Sequence, residues 1–302
     1  MDEVNRIKQL KKERNAIILA HNYQRGDVQD IADFVGDSFG LSQKAVSSGA
    51  DTIVFCGVDF MAESAAILNP EKTVLMPETN AQCPMAAMIT PVSLKLEKEK
   101  YPDAAVVCYV NTPASVKAQS DICCTSANAV KVVNSLPEEE IIFVPDRNLA
   151  LYVAAHTTKK IIPWNGYCPT HHLILPGDIL LEKEEHPDAL ILVHPECRPE
   201  VVALADQVLS TAGMLNYAKQ SKSREFIIGT EIGLLHRLRK ENPEKTFFPG
   251  TKYAVCPNMK MNTLGSIIMA LENNEHIIKV PENIRIKAKR SLDRMLEAGR
   301  SD

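Results

Sequence analysis

Residues 16–24 read AIILAHNYQ, an apolar run followed at once by a tip of chemistry-bearing side chains. The design returns twice: AVVCYV at 105–110 leads into NTP at 111–113, and ALILV at 189–193 leads into HPEC at 194–197. Runs dominated by apolar β-formers, with no polar alternation, mark strands buried on both faces of a parallel sheet.

Working outward, each run opens a repeat. A short helical stretch follows, then a second strand with its own polar tip: ADFVGDS (32–38), SDICCTS (120–126) and ADQVLST (205–211). Asp33, Asp121 and Asp206 align across the copies at separations of 88 and 85 residues. A helix then leads to a third strand, TIVFCG (52–57), IIFVP (141–145) or FIIGT (226–230). Another helix leads to a fourth, KTVLMP (72–77), KKIIP (159–163) or KTFFP (245–249). Each copy closes on Cys-Pro, with Cys83, Cys168 and Cys256 again 85 and 88 residues apart.

Strands alternating with helical segments predict α/β units with parallel sheets. A unit of this size has a marginal core when alone. The expected fold is therefore α/β, with three homologous small parallel-sheet domains packed in a pseudo-threefold arrangement. Its domains are 1–85, 86–172 and 173–258, followed by a C-terminal helical segment, 259–302. Ile284, Ala288, Leu292 and Met295 recur at near-helical spacing, predicting a helix over 281–298 that packs on the first unit.

The 302-residue chain is 45% hydrophobic and 24% charged, with a formal net charge of −4, the balance of a soluble globular protein. It lacks the basic stripe that nucleic-acid binding requires and any apolar run near the ~18 residues of a membrane span. The N-terminal stretch MDEVNRIKQLKKERN has no apolar segment of the secretory kind. The expected compartment is thus cytoplasmic, with no nucleic-acid or membrane partner. There, eight cysteines read less as a disulfide framework than as metal ligands or catalysts, with the remainder buried.

Ligands of open parallel α/β sheets gather at the carboxyl ends of the strands. Every Cys-Pro pair follows a fourth strand, so packing those ends inward brings Cys83, Cys168 and Cys256 together. Three thiolates suit zinc with one further ligand, or a cubane iron–sulfur cluster with one iron left without a cysteine. Zinc sites favour close pairs such as C-x-x-C, absent here, which favours the cluster. Its open iron would act as a Lewis acid. Cys56, Cys108, Cys123 and Cys124 read as core thiols, and Cys197 stays open.

The first-strand tips carry His21, Tyr23, Tyr109, Asn111, His194 and Glu196, a set able to move protons and bind anions. The second-strand tips carry Ser38, Ser126, Ser210 and Thr211 just ahead of helices. These hydroxyls serve as plain N-caps or as parts of anion sites. His171 and His172, in CPTHH, receive no role.

The strings LAHNYQ, DIADFVGDS, GVDFMAE, YVNT, TSANA, PDRNL, HPEC and GTEIG, with the three Cys-Pro sites, resemble the quinolinate synthase family, in order, from about residue 5 to 298. The resemblance implies the triplicated α/β fold around one 4Fe–4S cluster per chain, held by Cys83, Cys168 and Cys256. It implies condensation of iminoaspartate with dihydroxyacetone phosphate to quinolinate, releasing phosphate and water, in de novo NAD synthesis. It also implies functional contact with an iminoaspartate-producing enzyme. His21, Ser38, Tyr109, Val110, Asn111, Ser126, His194, Pro195, Glu196 and Thr211 would line the substrate site. Tyr23, Glu196, His21 and His194 would be catalytic, with Tyr23 in the position associated with proton transfer. The extra cysteines that some members carry near the third ligand are missing from YAVCPNM. Rival readings are a reductive or radical cluster enzyme on the same fold, and a cluster-based sensor or electron carrier.

Overall fold

A computed structural model, which describes residues 2–301, folds the chain into three four-stranded parallel sheets flanked by helices. The first holds β1 (Ala16–His21), β2 (Phe34–Gly36), β3 (Thr52–Cys56) and β4 (Thr73–Leu75). The second holds β5 (Ala105–Tyr109), β6 (Ile122–Cys124), β7 (Glu140–Val144) and β8 (Lys160–Pro163). The third holds β9 (Leu190–Val193), β10 (Gln207–Val208), β11 (Glu225–Gly229) and β12 (Thr246–Pro249). In every sheet the spatial order is second, first, third, fourth. Among the described residues, no helix is long and apolar enough to cross a membrane.

The repeats agree in atomic detail. Asp33, Asp121 and Asp206 each accept a hydrogen bond from a first-strand N–H fifteen residues earlier: Ile18, Val106 and Ile191, at 2.7, 2.8 and 2.8 Å. That bond joins the edge strand to its neighbour, so the shared spacing has a structural cause. Lys72, Lys159 and Lys245, ahead of the fourth strands, reach carbonyls near the end of the helix before each third strand, Ser48, Leu136 and Ala218 among them. A cation suits that end of a helix dipole.

Buried residues form one cluster through all three units, from Phe39 and Phe60 through Val106 and Phe143 to Phe226 and Leu238. Units too small to bury their own strands share this large cluster, while smaller clusters lie in the first unit and the third.

The closing helix, Glu282–Ala298, reaches beyond the first unit. It touches helix Asp59–Leu68 of the first unit but lies more extensively on β6 and helix Ala114–Lys117 of the second. Ala288, Leu292 and Met295 make the buried stripe. Within it, Ser291 Oγ lies 3.0 Å from Lys117 O and takes a 3.3 Å hydrogen bond from Cys123 Sγ. Arg294 adds a bond to Asp121 O at 2.7 Å. Periodicity defines an apolar stripe but says nothing of which neighbour it meets. The first unit is covered instead by helices Glu3–Glu13 and Leu264–Asn273, whose Ile7, Leu10, Ile267 and Leu271 pack with Ile18 and Val54.

Leu292→Ala should therefore cost about 2–5 kcal/mol, as expected for a fully buried leucine. Ile286→Ala, on the exposed side of the same helix, should stay within about 0.5 kcal/mol. Urea unfolding of both variants checks the placement, and equal losses would contradict it.

Candidate active site

The strand order dictates the layout of the site. The carboxyl ends of all three sheets surround one cavity of about 150 Å³, room for a small molecule and not for a polymer. Second and fourth strands are opposite edges of each sheet. Fourth-strand loops supply Cys83, Cys168 and Cys256, and second-strand tips supply Ser38, Ser126 and Thr211. The first and third strands place their tips between those two edges.

Each cysteine meets an acidic residue from the segment just past a third strand. Asp59 Oδ1 accepts from the Cys83 N–H at 3.0 Å, and Glu231 Oε1 from the Cys256 N–H at 3.1 Å. Asp146 stands in the same relation to the Cys168 backbone without a close bond; its Oδ1 caps Leu149 N at 2.8 Å and its Oδ2 has no close partner. Burial pushes all three thiols up from their ordinary range. The Cys168 thiol, His171 Nδ1 and Glu196 form a set whose donor atoms all lie within 4.8 Å of one another, a possible metal-binding group. Thiols, imidazole and carboxylate are the donors that transition metals select, so the residues present fit a metal group at this end.

The first-strand tips form a buried network. Tyr109 OH donates to Glu196 Oε1 at 2.5 Å, and His171 Nδ1 lies 2.7 Å from Glu196 Oε2. On its other side, His171 Nε2 is 2.8 Å from Thr230 Oγ1 and 3.3 Å from Tyr23 OH. Lys260 Nζ bonds to Tyr23 O at 2.5 Å and lies 2.9 Å from Glu231 Oε1. Burial lowers His21 and His194 to about 3, so both are neutral near pH 7. Burial, reinforced by the Glu196 charge, raises Tyr23 and Tyr109 well above the usual phenol range. Burial also pushes Glu196 upward, but His171, His194 and Tyr109 overcome it and hold the carboxyl below its ordinary range.

At the opposite edge, Asp37 caps Gly40 N at 2.8 Å and Ser210 caps Gly213 N at 3.1 Å. The helices they start present Ser38 and Thr211 to the cavity. Asn111 Oδ1 lines the cavity with no partner, an acceptor a ligand can use.

The cavity thus gathers His21, Tyr23, Ser38, Tyr109, Asn111, Ser126, His194, Glu196, Thr211 and the three cysteines. Val110 and Pro195 are buried but do not line it. Each is the middle residue of a tip whose flanking side chains face inward, and Val110 N is spent on Cys124 O at 2.9 Å. The sequence reading assigned no role to His171, Thr230, Glu231, Asp59 or Asp146. For the acids a signal existed, since each repeat carries Asp or Glu just past its third strand, in GVDF, VPDR and GTEI.

Three α/β units around a buried cavity with a cysteine edge and an acid–base interior define an enzyme acting on small molecules. The chain matches the family model described as "NadA: Quinolinate synthetase A protein" over residues 5–297, and it belongs to that family. A quinolinate synthase of Methanosarcina barkeri is 61% identical over 97% of this chain and 96% of its own. One from Thermodesulfovibrio yellowstonii is 60% identical over 97% of each. One from Geobacter metallireducens is 57% identical over 96% of this chain and 95% of its own.

The neutral histidines have a thermodynamic consequence. Between pH 6.5 and about 3 the unfolded chain binds protons at His21 and His194 while the folded chain does not. Stability therefore rises with pH across that window and falls on acidification. The metal-free protein should melt at progressively lower temperature from pH 7 to 5, and His194→Gln should flatten that slope. An unchanged slope would mean the imidazole is charged in the fold.

Proposed function

We propose that this chain condenses iminoaspartate with dihydroxyacetone phosphate to quinolinate, releasing phosphate and water, for de novo NAD synthesis in the cytoplasm. The observation that carries the reading is one cavity with three cysteines at one edge and the hydroxyls of Ser38, Ser126 and Thr211 at the other. Functional contact with an iminoaspartate-producing enzyme, and no nucleic-acid or membrane partner, belong to the same reading.

Cys83, Cys168 and Cys256 would hold a 4Fe–4S cluster. A single zinc held by three thiolates at about 2.3 Å would gather the sulfurs to within about 3.8 Å of one another. Cys168 is grouped with His171 and Glu196, and Cys83 and Cys256 line the same cavity. Three thiols at equivalent repeat positions with no close C-x-x-C pair favour a multinuclear cluster. When bound, the cluster supplies one Lewis-acidic iron without a cysteine, able to polarise an oxygen of the substrate.

The protein's own groups bind, orient and move protons. Both substrates are anionic, and the N–H groups and hydroxyls at Ser38, Ser126 and Thr211 suit phosphate and carboxylates. Neutral His21 and His194 hydrogen-bond the substrates without a fixed charge, and Asn111 Oδ1 accepts from an amine or hydroxyl. Imine formation, isomerisation and ring closure all relocate protons. Tyr23, protonated, would donate, and Glu196, ionised, would accept. His171 stands between them as the connecting group. Val110 and Pro195 support their tips through the backbone.

Anaerobically purified protein given both substrates should form quinolinate with no electron donor, which separates this reading from a reductive enzyme and from a sensor. No product under those conditions overturns it. Cys168→Ala should lose iron, sulfide and activity together, while Cys56→Ala keeps its iron; normal cluster content in Cys168→Ala would refute the ligand set.

Tyr23→Phe should lower turnover by about 10²–10⁴-fold, the usual worth of a positioned acid or base, with substrate binding retained. Steady-state kinetics beside equilibrium titration checks this, and unaltered turnover assigns the proton transfer elsewhere.

A further inference from the structure

The cavity edge meant for anions contains a carboxylate. Asp37 lines it beside Ser38, where an unneutralised charge would repel phosphate or carboxylate. The far end of the chain answers it. Helix Glu282–Ala298 stops at Gly299, whose φ of +69° is strained for any residue with a side chain. Arg300 then places Nη1 3.1 and 2.9 Å from the two Asp37 carboxylate oxygens, and Nη2 3.2 Å from Ser210 Oγ. The flanking backbone is fixed to the second unit, where Asn128 Nδ2 donates to Gly299 O at 3.1 Å and Ser301 N to Ala127 O at 3.0 Å.

Asp37, Asn128 and Ser210 are the N-cap residues of the three helices that follow the second strands. One tripeptide, 299–301, thus contacts all three helix starts, next to the cavity residues Ser38, Ser126 and Thr211. Arg300 lies outside the 5–297 span matched by the family model.

We propose that Arg300 is a positioning residue for anionic substrates: it neutralises Asp37 and holds the three helix starts beside Ser38, Ser126 and Thr211 at their working spacing. The inference rests on the condensation reading above, and its test includes a readout independent of turnover. In the holoenzyme, Arg300→Ala should raise the KM for dihydroxyacetone phosphate about 10-fold, the worth of one charge-assisted hydrogen bond, with kcat changed far less. Arg300→Lys should recover part of the loss, because charge persists without the planar fork. Adding Asp37→Asn to Arg300→Ala should also recover part, because the repelling charge is gone. Amide hydrogen exchange of the same proteins without substrate should quicken at 38–41, 129–132 and 211–214 in Arg300→Ala. An unchanged KM, a loss confined to kcat, or faster exchange only within 282–298 overturns the proposal. Absence of quinolinate from the unaltered holoenzyme would instead overturn the reaction assignment, with the exchange result still reporting on Arg300.

Discussion

A parallel strand buried on both faces, in a unit too small to bury it, is the constraint from which the molecule follows. β3 and β5 are buried at every position, and their sheets cannot be covered by their own helices alone. Three units must therefore share a core. Parallel strands bring all the polar tips out at one end of each sheet, and shared packing turns those ends toward a single cavity. The fixed order of second, first, third and fourth strand then sorts the chemistry: thiols at one edge, hydroxyls and helix starts at the other, acids and imidazoles between.

Much of this was legible because the repeat is carried by residues with strict geometric duties. Asp33, Asp121 and Asp206 align since each bonds the same first-strand N–H, and the Cys-Pro pairs align since each leaves an equivalent edge strand. What escaped notice depends on contacts between units. His171 looks like one more residue of a short helix until its two nitrogens are seen between Glu196 of the third unit and Tyr23 of the first. Asp59 is one position out of step with Asp146 and Glu231 relative to its strand, which blurs a pattern that the bonds from the Cys83 and Cys256 N–H groups to Asp59 and Glu231 bring back. The closing helix reaches beyond the first unit, which amphipathic spacing alone could not show. Its address is written in Ser291 and Arg294, polar residues bonded to the second unit's carbonyls.

Enclosing so many titratable groups is tolerable only as a network. An isolated buried charge is expensive, yet Glu196 stays ionised because Tyr109 and His171 hold it. Glu231 is raised by burial but opposed by Lys260 and by the Cys256 and Gly233 N–H groups. His21 and His194 avoid the cost by staying neutral. Removing one member strands its partner, so a substitution here changes the charge state of neighbours as well as its own position. Such a site is pre-arranged for chemistry, since its dipoles are aimed before substrate arrives.

Triplication raises a difficulty that the tips resolve. A pseudo-threefold frame gives three like positions, but substrates with one phosphate at one end and carboxylates at another have no threefold symmetry. The frame stays symmetric where like parts are useful, in the three cysteines and three helix starts. It diverges where the reacting atoms must be told apart: His21, Tyr109 and His194 occupy one set of equivalent positions, and Tyr23, Asn111 and Glu196 the next. The backbone bonds persist regardless, since Tyr23 N and Glu196 N both donate to the Nδ1 of the preceding histidine, at 3.2 and 3.3 Å. One scaffold thereby holds a phenol, an amide oxygen without a partner and a carboxylate at three matched points, so the cavity is chemically asymmetric although its frame is not.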